Sequence, residues 1–362
     1  MIITKIKVNN FRNIKSLTWE PSPKLNIIYG NNGQGKTSLI EAMWLFTGAK
    51  SFTHTKDKEL IKNDQQFYLL NCLFKDGNQS ASAQIRYSGK KQVIFNNIKY
   101  KNTVALMGKL CCVVFAPNHL ELIKGSPERR RNFIDLAISQ IDQSYMRSVI
   151  EYSHALKQRN SLLKAILHSK ASSDMLLDWN LVLARAGAKI ISRRLWYTDL
   201  LAKTASKIYC NISNNAEKLD IVYSKANWLG KSQEELENIL IKTFEHNQKQ
   251  DIHTGFTNLG AHRDDLAIKL NGFFIKNYGS QGQQRSSIIS LKLAECEILS
   301  NEKKIAPIVF LDDILSELDS KRREQLLACL SGKQVFVTCC DKIDLSTEVT
   351  SYYLMKDGNL LN

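Results

Sequence analysis

The chain has 362 residues, 43% of them hydrophobic and 23% charged, which is enough sequence for two or three domains with buried cores. Its 50 lysines and arginines exceed its 35 acidic residues, and the formal charge of +15 favours a polyanionic partner, above all nucleic acid. No run of about 18 apolar residues occurs, so we expect no membrane span. The opening residues form a strand pattern instead of a signal peptide, and the eight cysteines contain no Cys-x-x-Cys pair. The sequence therefore predicts a cytoplasmic protein with reduced thiols.

The first 125 residues carry mostly strand patterns. Alternating and continuous apolar runs predict strands over residues 2–9, 14–19, 25–29, 67–74, 81–87, 92–100 and 110–115. Helical periodicity then dominates from Ser126 to about Cys210, interrupted at residues 169–174. It predicts two or three long amphipathic helices packed as an antiparallel arm. A strand over residues 219–223 and a helix over 232–247 complete this segment.

The last third of the chain returns to mixed patterns. They predict strands over residues 266–270, 273–275, 308–311 and 334–338, helices over 283–299 and 321–330, and a hairpin of 351–355 with 360–361. Because α/β signals lie at both ends, the simplest fold is one sheet assembled from both termini, with an inserted helical arm. The predicted domains are residues 1–125, 126–249 and 250–362.

A glycine-rich segment follows the predicted strand over residues 25–29. From Gly30 to Thr37 it reads Gly-Asn-Asn-Gly-Gln-Gly-Lys-Thr, the spacing of a phosphate-binding loop, and a helix begins there. Glycines let the backbone approach an anion closely, and the helix directs its unpaired N–H groups at the same anion. Lys36 adds a positive charge for the phosphates, and the Thr37 hydroxyl can bind Mg²⁺. The segment therefore predicts a nucleoside triphosphate site.

The apolar strand over residues 308–311 is followed by two carboxylates. If this strand lies beside the phosphate-loop strand, Asp312 reaches the Mg²⁺ site and Asp313 faces the attacking water, either as general base or as the residue that positions the water. A third polar segment, Tyr278 to Arg285, begins a helix and predicts a second phosphate contact, although Ser280 and Gln283 could also serve only as a helix cap.

Together these motifs resemble the ABC-type ATPase heads of the SMC group and, more closely, the bacterial RecF family of recombination mediators. The resemblance spans nearly the whole chain. It rests on Asn10–Asn13, Gly30–Thr37, Ser126–Arg131, Gly260–Leu266, Gly279–Arg285 and Phe310–Asp319. It implies an α/β, SMC-like P-loop ATPase head with an inserted α-helical arm.

The resemblance also implies roles for single residues, with ATP and Mg²⁺ as cofactors. Thr37 and Asp312 would hold the metal, Lys36 and Asp313 would act in hydrolysis, and Asp319 would belong to the dimer-crossing D-loop. The signature residues Ser280, Gly282 and Gln283 would face the ATP of a second subunit. The residues implied to bind ATP are Arg12, Gly30, Asn31, Asn32, Gly33, Gln34, Gly35, Lys36, Thr37 and Ser38.

Two features of ABC transporter heads are missing from the sequence. No His follows the last core strand, where the chain reads Val-Thr-Cys-Cys-Asp from Val337, and no Gln occupies the segment from Phe115 to Asn118. Both departures favour a slow, switch-like ATPase, stimulated by DNA in the implied family. The missing His and the shorter Asp313, where many ABC heads carry Glu, both weaken water activation.

Basic residues concentrate on the predicted arm and its root. Residues 126–210 contain 14 Lys or Arg and 7 acidic residues, and residues 50–62 form a second basic segment. Contacts to DNA phosphates would use Arg129, Arg130, Arg131, Lys157, Arg159, Arg193 and Arg194, although the first three could instead pair within the molecule. The sequence His262-Arg263-Asp264-Asp265 suggests metal ligands, but a salt-bridged turn is the better interpretation.

The predicted function is an ATP-gated DNA clamp. Two chains would close on duplex, gapped or single-strand-junction DNA when ATP is bound, and slow hydrolysis would release them. The resemblance implies a role in recombinational repair, replication-fork maintenance and SOS induction, with RecO and RecR as partners in recombinase loading. An ABC transporter motor and a non-hydrolysing nucleotide-binding scaffold are the alternatives.

Overall fold

The computed structural model describes residues 1–342 and 350–361. The strands are Ile2–Phe11 (β1), Ile14–Trp19 (β2), Leu25–Tyr29 (β3), Tyr68–Asp76 (β4), Gln79–Tyr87 (β5), Lys91–Phe95 (β6), Ile98–Tyr100 (β7), Cys112–Phe115 (β8), Leu219–Tyr223 (β9), Leu266–Leu270 (β10), Phe273–Phe274 (β11), Ile308–Asp312 (β12), Val335–Cys339 (β13), Thr350–Lys356 (β14) and Asn359–Leu361 (β15). The α-helices are Lys36–Trp44 (α1), Glu121–Lys124 (α2), Pro127–Ile141 (α3), Gln143–Leu167 (α4), Leu176–Ile212 (α5), Gln233–His246 (α6), Gln248–Thr254 (α7), Ile275–Tyr278 (α8), Gln281–Lys303 (α9) and Ser320–Cys329 (α10).

The chain divides into two compact units. The first comprises Met1–Leu120 and Arg285–Asn362, and the second comprises Glu121–Gln284. The predicted arm, residues 126–249, is shorter than the second unit, because β10 pairs with β9 and so belongs to the same unit. No helix in residues 1–342 or 350–361 is long and apolar enough to cross a membrane.

A six-stranded sheet forms the centre of the first unit. Its order is β15-β14-β3-β13-β12-β8, and all neighbours except β14 and β15 are parallel. Strands β8, β12 and β13 are buried along their whole length, as expected of continuous apolar runs in a parallel sheet. The sheet therefore takes strands from both ends of the chain.

The remaining N-terminal strands form a second sheet in this unit. They are antiparallel in the order β2-β1-β4-β5-β6-β7. The expectation of a single sheet is therefore wrong, because these strands pair with one another as hairpins (β1 with β2, and β4 to β7 in succession) and through the β1–β4 pair. Helix α1 packs against β1 of this sheet and against β12 and β13 of the other. Trp19 at the end of β2 packs edge-on against Phe336 and Tyr353, which joins the two sheets.

The second unit is mainly helical. Helices α4 and α5 pack along each other, as predicted for the arm, and α6 packs on α5. A separate three-stranded antiparallel sheet has the order β11-β10-β9. Helix α6 begins with a capping box, in which Ser232 Oγ accepts from the Glu235 N–H and Glu235 accepts from the Ser232 N–H.

Candidate nucleotide-binding site

The phosphate loop connects β3 to α1 in the first unit. All three of its glycines have backbone angles that disfavour any side chain, with φ of 143° at Gly30, 78° at Gly33 and 112° at Gly35. A Cβ at Gly35 would also lie 2.9 Å from the Asn13 amide nitrogen and from Met355 Cε. The Gly30 N–H donates to Cys340 O at 3.1 Å. The glycine spacing is therefore required by both backbone conformation and close packing.

Lys36 lies inside this loop at the start of α1. Its ammonium donates to Gly30 O at 2.6 Å and to Asn31 O at 3.0 Å, and the residue is buried. The charge is therefore held where the loop surrounds it and where the helix N-terminus adds positive potential. An anion is the ligand that suits this arrangement.

Asp312, at the end of β12, meets two hydroxyl groups. Its Oδ1 accepts from Thr37 Oγ1 at 2.9 Å and from Thr338 Oγ1 at 2.8 Å. Burial raises the pKa of Asp312, and the two hydrogen bonds oppose that rise. The expectation that β12 lies beside β3 is wrong, because β13 lies between them. Thr338 of β13 fills the intervening position, and the side chains of Asp312 and Thr37 meet next to it.

Asp313 follows Asp312 in a left-handed backbone conformation, with φ of 51°. Its N–H donates to Thr338 Oγ1 at 3.0 Å, so one threonine holds both acidic residues. This conformation is unusual for a residue with a side chain and is found in constrained sites. The bond to Thr338 provides the local constraint.

The loop, Arg12 and Asp313 surround a cavity of about 330 Å³, a volume within the usual range for small-molecule sites. Sequence reasoning predicted most of its lining but missed Asn13, whose amide donates to Gly33 O at 2.9 Å. The sequence analysis also did not identify Thr338, which contacts Asp312 and Asp313. Its position at the end of a predicted strand was the one feature that could have indicated it. The lining residues are Arg12, Asn13, Asn32, Gly33, Gly35, Lys36, Thr37, Ser38 and Asp313.

Arg12 lines the cavity, and its guanidinium is also bound by neighbouring side chains of the same unit. Its guanidinium forms an ion pair with the fully buried Glu41 of α1 and donates to Thr53 at 2.6 Å and Thr55 at 2.9 Å. No sequence pattern indicates Glu41, which lies among apolar helix residues. These contacts fix the guanidinium beside the phosphate loop.

The residues present fit a magnesium ion. The Thr37 hydroxyl and the Asp312 carboxylate are hard oxygen donors 2.9 Å apart beside the loop. No group of three or more His, Cys, Asp or Glu residues in the described chain could hold a metal ion. A site with two protein oxygens suits Mg²⁺, which usually keeps several waters and binds substrate phosphates.

The predicted signature residues belong to the second unit and form a helix cap. Ser280 Oγ accepts from the Gln283 N–H at 3.2 Å, and Gln283 Oε1 accepts from the Ser280 N–H at 2.7 Å. The Gln283 amide also donates to Glu217 at 2.6 Å. Ser280 is exposed and Gly282 is half-buried. In the first unit Asp319 caps α10, accepting from the Arg322 N–H at 2.9 Å.

Two of the predicted DNA contacts are wrong because the residues are buried in ion pairs. Arg159 is 0% exposed, and it donates to Asp251 at 2.8 Å and to Asn180 at 2.7 Å. Arg194 is 4% exposed and pairs with Asp135 at 2.8 Å. Charges paired inside a fold are not available to DNA phosphates.

Arg130 and Arg131 at the start of α3 also pair within the second unit, as the alternative interpretation expected for this segment. Arg130 forms a two-pronged ion pair with Asp265 at 2.6 and 2.9 Å, and Arg131 donates to Asp264 O at 2.7 Å. Arg130 is buried in its ion pair, so the prediction that it contacts DNA is wrong. Four of the predicted residues keep exposed or half-exposed side chains: Arg129, Arg131, Lys157 and Arg193.

The segment from His262 to Asp265 is a salt-bridged turn, as preferred from the sequence. His262 Nδ1 lies 2.8 Å from the Tyr152 hydroxyl and its Nε2 lies 2.9 Å from Thr257 O. Burial lowers the pKa of His262 to about 4, so the ring is neutral at pH 7. Both ring nitrogens are used inside the protein, and the metal-ligand interpretation has no support.

The chain matches the family model of the RecF/RecN/SMC N-terminal domain over residues 2–358. It is 38% identical over 341 residues to the DNA replication and repair protein RecF of Lachnoclostridium phytofermentans, covering 94% of this chain and 92% of the relative. The chain belongs to the RecF family. The RecF of Acetivibrio thermocellus is also 38% identical, over 346 residues and 94% of each chain.

Solved structures give the same result for the fold. The recombination mediator protein RecF with ATP is 35% identical to this chain, with a TM-score of 0.93 over 99% of this chain and 96% of that chain. RecF-ATPrS gives 35% identity and a TM-score of 0.92. An Smc head bound to the C-terminal winged-helix domain of ScpA shares only the fold, with 16% identity and a TM-score of 0.55. The predicted ABC-type, SMC-like head fold is confirmed.

Proposed function

We propose that this protein is an ATP-dependent DNA-binding protein of recombinational repair and replication-fork maintenance. The observation that carries the proposal is the Thr37–Asp312 contact of 2.9 Å beside the phosphate loop, with Lys36 held inside it. The relatives named DNA replication and repair protein RecF support the cellular role, and the RecF structure with ATP supports the nucleotide. We place the activity in the cytoplasm.

ATP would bind with its phosphates in the loop and against Lys36. Thr37 and Asp312 would hold Mg²⁺, which supplies charge neutralisation on the phosphate oxygens. Asp313 would orient the attacking water and accept its proton. Arg12, fixed by Glu41, would place a positive charge at the cavity edge.

The same site would act as a switch between two chains. The ATP bound by one copy would face Ser280, Gly282 and Gln283 of the other copy. Asp319 would lie where the D-loop crosses the interface between the two copies. Closure would hold duplex, gapped or junction DNA, and slow DNA-stimulated hydrolysis would release it. RecO and RecR are the proposed partners, with recombinase loading and SOS induction as the outcome. The exposed Lys157 and the half-exposed Arg129, Arg131 and Arg193 are the proposed phosphate contacts.

Sedimentation with a gapped duplex tests this proposal. We expect wild-type protein to dimerise and to bind DNA more tightly with ATP than without it, and Lys36→Ala to lose both effects. A plot of the logarithm of the DNA association constant against the logarithm of the salt concentration should have a slope of about −0.9 per phosphate contacted. Equal DNA affinity with and without ATP would contradict the switch.

A turnover assay separates this function from a non-hydrolysing scaffold. Asp313→Asn should still bind ATP and dimerise, because the residue lies at the cavity edge and not in the phosphate loop. Its hydrolysis should fall by roughly a hundredfold or more, the usual scale for removing a general base. Wild-type protein that dimerises without any turnover would favour the scaffold.

A further inference from the structure

The C-terminal hairpin of β14 and β15 contacts the phosphate loop directly. At its turn the Asp357 N–H donates to Gln34 Oε1 at 2.5 Å, and the Gly358 N–H donates to Gln34 O at 3.0 Å. Strand β14 pairs with β3 from Thr350 to Leu354, so the hairpin is anchored to the strand that leads into the loop. Gln34 is therefore bound through both its side chain and its backbone.

The turn between β1 and β2 contacts the same loop. The Asn13 amide donates to Gly33 O at 2.9 Å, and Lys62 donates to Asn13 O at 2.9 Å. Gly358 packs against this turn, since a Cβ added to it would lie 3.0 Å from Asn13 O. The hairpin and the Asn13 turn thus meet each other and hold consecutive carbonyl groups of the loop.

These two contacts also fix the loop N–H groups. In a trans peptide the N–H points opposite to the carbonyl of the preceding residue. Holding Gly33 O therefore sets the direction of the Gln34 N–H, and holding Gln34 O sets that of the Gly35 N–H. Backbone N–H groups of this kind bind phosphate in glycine-rich loops.

We propose that Gln34, Asn13 and the turn at Asp357 and Gly358 are positioning residues that hold the phosphate loop in its binding conformation before the nucleotide arrives. Preorganisation reduces the ordering cost of binding. Loss of the turn should therefore raise the Kd and KM for ATP about three- to tenfold, with little change in kcat. The proposal rests on ATP binding in this cavity.

Gly358→Ala and Gly332→Ala form a matched test. Both glycines have φ of 77°, so alanine strains both backbones equally, but a Cβ at Gly332 has no atom within 4 Å. Gly358→Ala should lose at least as much thermal stability as Gly332→Ala, because only its Cβ meets Asn13 O. At a temperature where both variants are folded, we expect weaker binding of a fluorescent ATP analogue only for Gly358→Ala. Equal analogue affinity in the two variants would overturn the proposal.

Gln34→Ala gives a second measurement that does not depend on glycine. The KM for ATP should rise about three- to tenfold, whereas simple loss of folded protein would lower the apparent kcat without raising KM. An unchanged KM would also overturn the proposal. If the wild-type protein does not bind the analogue, the proposed function itself fails. If the wild-type protein binds it and the variants bind it equally well, only the positioning proposal fails.

Discussion

The hydroxyl of Thr338 donates to Asp312 Oδ1 across 2.8 Å and accepts from the Asp313 N–H at 3.0 Å. This contact links the central strand β13 to both acidic residues at the end of β12. Thr338→Val keeps the side-chain shape but removes both hydrogen bonds. We expect ATP turnover to fall about thirtyfold, since the two lost bonds contribute about 1 kcal/mol each. Thr338→Ser is the control and should keep most of the activity, and equal rates in the two variants would contradict the role of the hydroxyl.

Asp312 should lower the stability of the nucleotide-free protein. Burial raises its pKa in the fold above the ordinary value of 3.8, so the folded state binds the proton more tightly than the unfolded state. The free energy of unfolding should therefore rise as the pH falls from the raised pKa toward 3.8. Asp312→Asn should stabilise the protein at pH 7 in urea unfolding and remove this pH dependence. The exposed Asp76→Asn should do neither, and a destabilised Asp312→Asn would refute the prediction.

His262 should give the opposite pH dependence. Its pKa is about 4 in the fold and 6.5 as the ordinary value, so the neutral ring stabilises the fold above pH 6.5. That stability, roughly 2–3 kcal/mol, should be lost as the pH falls from 6.5 to 4. For His262→Gln, the free energy of unfolding should change less between pH 6.5 and pH 4 than it does for wild-type protein. The exposed His168→Gln should follow wild-type protein, and a wild-type curve without slope would argue against a neutral His262.

Lys157 and Arg159 lie two residues apart on α4 and should behave differently. Arg159→Met leaves Asp251 as an unpaired buried charge, so we expect a loss of about 3–5 kcal/mol in unfolding free energy. Its folded fraction should bind DNA with unchanged affinity. Lys157→Ala should leave stability unchanged and reduce the log–log salt slope of DNA binding by about 0.9. A stable Lys157→Ala protein with the wild-type salt slope would remove Lys157 from the interface.

Local patterns in the sequence predicted the fold class, most strand positions and the phosphate loop. Spacing sufficed to place Gly30, Lys36 and Thr37 in one loop at the start of α1, because this arrangement depends on backbone conformation and on residues close in sequence. Strand order was harder, since apolar runs such as β12 and β13 do not encode their neighbours.

The fate of the arginines could not be predicted for a related reason. Arg159 and Lys157 look alike in a helical pattern, but only the fold brings Asp251 to Arg159, from 92 positions further along the chain. Thr338 and Glu41 were missed for the same reason, because their partners are distant in sequence. Charge counts indicate a basic region, whereas burial decides which charges remain available.

The placement of β3 bears on how the protein is synthesised. This strand ends at Tyr29, yet its two neighbours in the sheet begin at Val335 and Thr350. On the ribosome the glycine loop emerges early, while the strands that must flank it have not been translated. A nascent chain would therefore expose both edges of this apolar strand until β13 and β14 have been translated. ATP capture would begin only once the final strands have joined the sheet.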